Sequence, residues 1–449
     1  MKRHASQDLE KWLKAKKRKP IVLRGARQVG KSTLIRNFAQ ENNLTLFEIN
    51  LEKIKLHTTQ TDGIDLQKLI QEIEFIKEER ISNKTLLFFD EIQEDPKLLM
   101  ALRYFYEERP DIPVIAAGSL LEFALNAKDF SMPVGRIEYF YLGPMSFTEF
   151  LLAMGKTLLL DALTQLPQPV PEIAHTQLLN LFREYLFVGG MPEAVATYIE
   201  SKNALEVRRV HHSILSTYQD DFGKYSTKAH MGRLRQIFNF VPGHLGQKIK
   251  YSTIDAHEKS RDLKHAIELL IQARILIPCY HTNATALPLA ALKDESVYKL
   301  YFLDVGLVNT LQNASWEQLV LQKINSEVIK GAIAEQFTAQ HLYYLNSTQM
   351  PPELFYWLRD KKNQNAEVDF IINIGEEIIP VEVKASSNEH IKSMVIFAAL
   401  KKIKWGIKIS QVELQTKNID QQSSIDSSKF KLINVPFYAI ERLAQLLST

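Results

Sequence analysis

Apolar and polar positions change rhythm along the chain, and each change marks a boundary. Pro20-Ile21-Val22-Leu23-Arg24 is a short apolar run that reads as a buried strand, and Leu34, Ile35 and Phe38 follow it at helical spacing. Thr85-Leu86-Leu87-Phe88-Phe89 is a second apolar strand, and Pro113-Val114-Ile115-Ala116-Ala117 is a third. Strands alternating with helices predict an α/β fold, a parallel sheet with helices on both faces. Pro167, Pro169 and Pro171 interrupt the pattern in a loop at Thr164–Pro171, and a largely helical stretch then runs to about residue 245. Within that stretch Gly189-Gly190, followed by Pro192, predicts a tight turn with a structural role. Beyond it, Ser252-Thr253-Ile254 opens a small helix. Leu263, Ala266, Ile267, Leu270 and Ile271 make Arg261–Ala273 amphipathic, and Ile275–Tyr280 and Tyr298–Phe302 read as a hairpin. Helix, turn, helix, hairpin is the outline of a winged helix. Further on come a helix from Gly331, a strand at Tyr356–Arg359, and two strands, Glu367–Ile374 and Glu377–Lys384, joined at Gly375-Glu376. The boundaries divide the chain into residues 1–155, 156–245, 246–315 and 316–449.

Between the first strand and its helix lies Gly25-Ala26-Arg27-Gln28-Val29-Gly30-Lys31-Ser32-Thr33. A glycine-containing loop between strand and helix is the setting in which backbone N–H groups cradle phosphates, aided by the helix dipole. Gly25 and Gly30 permit backbone angles that other residues resist. Lys31 brings a positive charge to the outer phosphates, and the Ser32 hydroxyl suits Mg²⁺. The loop thus points to a nucleoside triphosphate, ATP with Mg²⁺. Asp90, at the end of the second strand, would hold that ion through water, and Glu91 would orient or deprotonate the attacking water. Ser119, after the third strand, suits sensing of the γ-phosphate or capping of a helix at Leu120–Phe123, two compatible roles. Arg136 is either a finger arginine, acting within its own chain or on a neighbour, or a surface salt-bridge residue.

The stretch from Gly25 to Phe150 resembles the AAA-type ATPase domain of a prokaryotic family whose members carry a C-terminal domain of unknown function, number 4143. The residues that carry the resemblance are Gly25–Ser32, Leu87–Gln93, Gly118-Ser119, Gly135-Arg136 and Leu142–Phe150, and further along Tyr185–Glu193, Phe302–Leu307, Gly331–Phe337, Tyr356–Arg359, Glu367–Ile372 and Val381–Ser386. It implies a P-loop NTPase fold at the N-terminal end. Asp304, within one of these signatures, reads as a helix cap.

The strands on either side of Gly375-Glu376 carry the second chemistry. If Ile374 pairs with Glu377, the register sets Asp369 opposite Glu382, on one face with Lys384, and Glu367 opposite Lys384. Two carboxylates so close repel unless a cation or a proton intervenes. Hard oxygen ligands suit Mg²⁺ or Mn²⁺, which can activate water for phosphodiester attack, with Lys384 stabilising charge. Pro380 calls for an edge position or a bulge, which would shift the register by one. An acid, a hairpin and Glu-x-Lys resemble the restriction-endonuclease-like nuclease fold. The resemblance implies Asp369, Glu382 and Lys384 as its catalytic set, with Glu335 the helix acid that joins Asp369 and Glu382 as metal ligand. The alternative is a Glu382–Lys384 surface pair on an ordinary hairpin.

Charge and composition narrow the classes. Net charge is +3, with 24% charged and 45% hydrophobic residues, ordinary for a globular protein. Residues 1–40 hold twelve Lys/Arg and two acids, a net +10, which leaves −7 for the rest. That basic run either attracts nucleotide or DNA, or is a solvated helix face. Arg261, Lys264 and His265 on the winged-helix-like segment would suit phosphates, but Asp262 and Glu268 share their helix. No apolar run suits a membrane span or a signal peptide, and a single cysteine, Cys279, points to a reducing compartment, so the expected location is cytoplasmic. Two functions stay open. One is an ATP-hydrolysing enzyme coupled to a metal-dependent nuclease acting on DNA or RNA, alone or as an oligomer. The other is a nucleotide-gated switch whose C-terminal domain binds DNA or a partner without cutting.

Overall fold

A computed structural model describes residues 1–58, 64–119, 121, 135–225, 228–321, 327–345, 348–359, 365–385, 391–422 and 427–447. They form two compact units, one of Met1–Pro144 with Gln272–Arg274 and Ser347–Pro351, the other of Met145–Ile271, Ile275–Asn346 and Pro352–Thr449.

The first unit is built on β1 (Ile21–Arg24), β2 (Thr45–Asn50), β3 (Thr85–Asp90), β4 (Val114–Gly118) and β5 (Glu138–Tyr141), all parallel, in the order β2-β3-β4-β1-β5. Every residue of β3 and β4 is buried, which a strand sustains only when helices cover both faces of its sheet. The covering helices include α1 (Ala5–Leu13), α2 (Lys31–Glu41), α3 (Leu66–Lys77) and α4 (Pro96–Glu108). Local sequence sets their starts. Asp65 caps α3 by accepting from the Gln67 and Lys68 N–H groups, and Asp95 caps α4 ahead of Pro96, whose missing N–H costs nothing in a first turn. Phe47, Leu69, Ile73, Phe89, Leu102 and Phe105 are among the side chains of the core.

The second unit holds an eight-stranded mixed sheet. Its strands are β6 (Leu276–Thr282), β7 (Lys293–Phe302), β8 (Phe355–Arg359), β9 (Ala366–Ile374), β10 (Glu377–Val383), β11 (Trp405–Ser410), β12 (Gln415–Gln422) and β13 (Ser427–Pro436), in the order β12-β13-β11-β10-β9-β8-β6-β7. The hairpin expected at 275–302 exists as β6–β7. It is not separate from the C-terminal sheet, since Tyr280 and His281 of β6 pair in parallel with Phe355 and Tyr356 of β8. Helices α5 (Phe147–Ala153), α6 (Glu172–Val188) and α7 (Ala204–Tyr225) are among those that precede the hairpin, and the amphipathic helix just before it, α8 (Ser260–Gln272), buries Leu263, Ala266, Ile267, Leu269 and Leu270. On it, Arg261 and Lys264 each stand within 4 Å of an acid, Asp262 and Glu268.

Asp304 caps α9 (Val305–Leu311), accepting from the Gly306 and Leu307 N–H groups. Its second oxygen takes the Gly190 N–H at 2.6 Å. Gly189 stands at φ +70°, and a Cβ there would lie 2.1 Å from Asp304 Oδ1. The tight turn at Gly189-Gly190 is therefore shaped by a carboxylate from elsewhere in the same unit.

Candidate functional site

The phosphate loop leaves the sheet at the C-terminal end of β1. Gly30 has φ +91° and heads α2, while Gln28 takes a left-handed conformation at φ 64°. Gly25 has a different constraint, because a Cβ there would lie 2.3 Å from the Leu142 carbonyl oxygen. Close backbone approach, not a left-handed φ, is what excludes a side chain at this position. Lys31 is buried and its ammonium donates to the Gly25 and Ala26 carbonyls at 2.9 Å. Burial pushes its pKa down to about 8, against the pull of Glu91 and Asp90.

β3 lies one strand beyond β4 and ends level with the loop. The Ser32 hydroxyl donates to Asp90 Oδ2 at 2.8 Å. Burial holds the Asp90 carboxyl above its ordinary range, and the Ser32 hydrogen bond opposes this. A hydroxyl and a carboxylate in contact, beside a buried lysine, are hard oxygen donors of the kind Mg²⁺ takes. Glu91 follows in a left-handed conformation at φ 54°. Its Oε2 accepts from Gln93 Nε2 at 2.7 Å and from the Ser119 hydroxyl at 3.5 Å. Ser119 thus joins Glu91 at the C-terminal end of the sheet. The helix expected at Leu120–Phe123 lies outside the described residues, except for Leu121. Gln93 was not singled out from sequence; a polar side chain two residues past the strand acid was the available signal.

Arg136 stands away from the phosphate loop. It precedes β5, whose first residue Glu138 pairs with Ile21 at the start of β1, whereas the phosphate loop follows the end of β1. Four residues of strand, about 13 Å, separate the two ends, too far for an arginine side chain that is already bound. Arg136 Nε bonds Glu107 Oε1 at 2.8 Å on the surface, the salt-bridge reading.

In the second unit the hairpin register is the expected one from Glu377 opposite Ile374 to Val381 opposite Phe370. Pro380 introduces no shift. It stands opposite Ile371, and pairing with β11 begins only at Val381, so no ladder bond on that side asks for its absent N–H. Beyond Phe370 the ladder gives way to a side-chain contact, in which Asp369 Oδ2 accepts the Val383 N–H at 2.8 Å. Lys384 Nζ donates to Glu382 Oε2 at 2.9 Å, while Glu382 Oε1 is buried with no hydrogen-bond partner. Glu335, from α10 (Glu327–Tyr343), accepts the Tyr301 hydroxyl at 3.1 Å. Gly246 faces it so closely that a Cβ would lie 2.2 Å from Glu335 Oε2.

Burial first, and then the Asp369 charge, raises the Glu335 and Glu382 carboxyls well above their usual range. Asp369 is raised as well, by burial, against the cations Lys299 and Lys384. The four expected residues therefore stand in one electrostatic neighbourhood. Among the described residues, however, no three acid, histidine or cysteine side chains are gathered closely enough to hold a metal ion as they stand. Glu382 Oε2, Glu335 Oε2 and Asp369 Oδ2 are engaged by Lys384, Tyr301 and the Val383 N–H, and Glu382 Oε1 is buried without a hydrogen-bond partner. The donor chemistry fits Mg²⁺ or Mn²⁺, and closing on an ion would require these side chains to move. Sequence reasoning missed two buried lysines, Lys299 on β7 and Lys408, which stands opposite Glu382 on β11. A charged residue inside an otherwise apolar strand was the signal for both.

No described helix is long and apolar enough to cross a membrane. An AAA domain family matches residues 17–151, a domain of unknown function (DUF8612) matches 179–318, and a second (DUF4143) matches 330–438. No curated protein matches the chain. A solved structure described as "Structure of C. elegans PCH-2" is similar at 16% identity and a TM-score of 0.26, over 41% of this chain and 56% of that one. The chain thus spans little more than half the length of that structure. The phosphate loop and the Ser32–Asp90 pair lie within the residues that match the AAA domain, and residues 330–438 match DUF4143, so the chain carries an AAA-type P-loop domain and, toward its C-terminal end, a DUF4143 domain.

Proposed function

We propose that the first unit hydrolyses ATP and that the second is a metal-dependent nuclease whose access to DNA or RNA is governed by that hydrolysis. Lys31 and the loop from Gly25 to Thr33 hold the phosphates, and Ser32 and Asp90 hold Mg²⁺. Glu91, placed by Gln93 and Ser119, takes the proton of the attacking water. In the second unit Glu335, Asp369 and Glu382 are the residues that would hold Mg²⁺ or Mn²⁺. When bound, such an ion polarises a phosphate oxygen and acidifies water. Lys384 orients Glu382 and stabilises charge on the departing phosphate oxygen. Arg136 is a finger only toward a neighbouring copy, and the site of action is the cytoplasm.

The observation that carries the nuclease reading is Glu382 Oε1, a buried carboxylate oxygen without a hydrogen-bond partner beside Asp369 and Lys384. An unpaired buried acceptor is costly, and a cation is what such an oxygen lacks. The second reading, a nucleotide-gated switch that binds without cutting, draws support from the lysines, since Lys384 and Lys299 already neutralise acids of this group.

Two assays test the proposal. ATP turnover should be lost in Lys31→Ala and Glu91→Gln, and turnover unchanged in both refutes the first half. Cleavage of DNA or RNA with Mg²⁺ or Mn²⁺, with and without ATP, should be lost in Asp369→Ala and Lys384→Ala. Mn²⁺ binding by the wild type without any cleavage selects the switch.

A further inference from the structure

Lys299 lies outside the residues that match the DUF4143 domain and inside those that match DUF8612. It sits on β7 opposite Cys279 of β6, and its side chain is 1% exposed. From there it crosses the face of β6 and β8. Its ammonium stands 4.9 Å from the centre of the Tyr356 ring and forms an ion pair with Glu367 of β9. Tyr301, two residues on and therefore on the same face of β7, donates to Glu335. The β7 strand thus contributes both a cation and a hydroxyl to the acidic site. Glu335, Glu367 and Asp369 all act on Lys299, and their charges more than offset the burial that would otherwise lower its pKa. Conversely, Lys299 is the largest cationic influence on Asp369, ahead of Lys384.

A lysine buried this deeply needs partners, and one pair with a half-exposed glutamate would serve a purely structural purpose. The position is what argues for more. Lys384, just past the end of β10, donates to Glu382, and Lys408 of β11 is paired with Glu382 in the ladder, both on the β10–β11 side of the acids. Lys299 reaches them from the β7 edge of the sheet, so the carboxylates lie between the Lys384 and Lys299 ammonium groups. The geometry points to Lys299 as an internal counter-ion of the acidic site, a positioning residue that neutralises Glu335, Glu367 and Asp369 and competes with the divalent cation for them. Glu367 is its tether. While the pair holds, Lys299 is drawn toward Glu367 and away from Asp369.

This inference rests on the metal reading above and gives it a sign. Lys299→Met keeps the volume of the side chain and removes its charge, so the site becomes more negative and should bind Mn²⁺ about tenfold more tightly. Glu367→Gln frees Lys299 to turn toward Asp369 and Glu335, so it should bind Mn²⁺ a few-fold more weakly. A purely structural pair would shift both variants in the same direction, through loss of folding. The experiment is calorimetric titration of the full chain with Mn²⁺ in the absence of nucleotide, with the site defined by the heat that Glu382→Ala abolishes and folding checked by circular dichroism. Opposite shifts in the two folded variants support the inference. Equal or unchanged affinities against a wild type that binds overturn it alone. A wild type with no Glu382-dependent heat overturns the metal reading and this inference together. If Lys299→Met does not fold, Glu367→Gln decides, and affinity equal to or above wild type overturns the inference.

Discussion

The Gln93 amide donates to Glu91 Oε2 at 2.7 Å, and its own Oε1 is buried without a partner. The glutamine lies against Gly118, where a Cβ would stand 2.3 Å from that Oε1. Gln93 is therefore fixed by the end of β4 and in turn fixes the carboxylate proposed to activate water. A hydrogen bond to a charged group contributes about 1.5–3 kcal/mol. Gln93→Ala should lower the ATPase kcat by about tenfold or more while leaving nucleotide affinity unchanged. Steady-state turnover and fluorescent-nucleotide binding measure the two separately, and a loss confined to affinity would contradict the assignment.

Gly189 admits no substitution. Its φ of +70° is unfavourable for any side chain, and a Cβ would lie 2.1 Å from Asp304 Oδ1. Gly189→Ala should cost about 2–4 kcal/mol, enough to lower the midpoint of urea unfolding clearly. Gly155 is a control, since it too has positive φ (+69°) but no atom within 4 Å of a Cβ, so Gly155→Ala should cost only the backbone strain, about 1–2 kcal/mol.

His211 makes stability depend on acid. It is fully buried, with Nε2 2.9 Å from the Val188 carbonyl and Nδ1 2.8 Å from the Thr310 hydroxyl. A carbonyl only accepts, so Nε2 carries the proton, and Nδ1 accepts from Thr310. Burial lowers the folded pKa to about 4, against 6.5 for a free histidine. Between those values the unfolded chain binds the extra proton, so stability rises with pH through this window and is lost on acidification. The contribution is about 3 kcal/mol. Urea midpoints measured from pH 4 to pH 7 should slope upward in the wild type, and His211→Gln should flatten that part of the profile.

Much of the first site was legible because its chemistry is local. Nine successive residues carry the phosphate loop, and Asp90 with Glu91 ends an unmistakable apolar strand. The turn at Gly375-Glu376 likewise fixed the β9–β10 register, since a two-residue turn leaves one pairing. What escaped were contacts between residues far apart in sequence. Nothing near Arg136 announces Glu107, and nothing near Glu367 announces Lys299. The β6–β7 hairpin was visible as a hairpin, but its place in the C-terminal sheet depends on pairing with β8, more than seventy residues away. Strand order is set by such nonlocal pairing, which periodicity does not encode.

Glu382 offers a test in which stability and function move in opposite directions. Its carboxyl is buried, one oxygen has no partner, and Asp369 repels it. Burial and that repulsion raise its folded pKa above the value in the unfolded chain. The sign is then the reverse of the usual carboxylate case, because the folded form holds the proton more strongly. Stability from this group is present at low pH and is lost as pH rises from the ordinary carboxylate range toward the raised value. Glu382→Gln keeps the volume and removes the charge. It should leave Lys384 to Asp369, which already acts on that lysine. The variant should therefore unfold at a higher temperature than the wild type at pH 8, by an amount equivalent to about 1–3 kcal/mol, and the gap should close near pH 4.5. It should also lose Mn²⁺ binding and any cleavage, as expected where a site is maintained at the expense of stability. Melting curves at the two pH values, beside a Mn²⁺ titration, measure both effects. A variant less stable than wild type at pH 8 would show that Glu382 is a structural partner of Lys384 and not a carboxylate held for a cation.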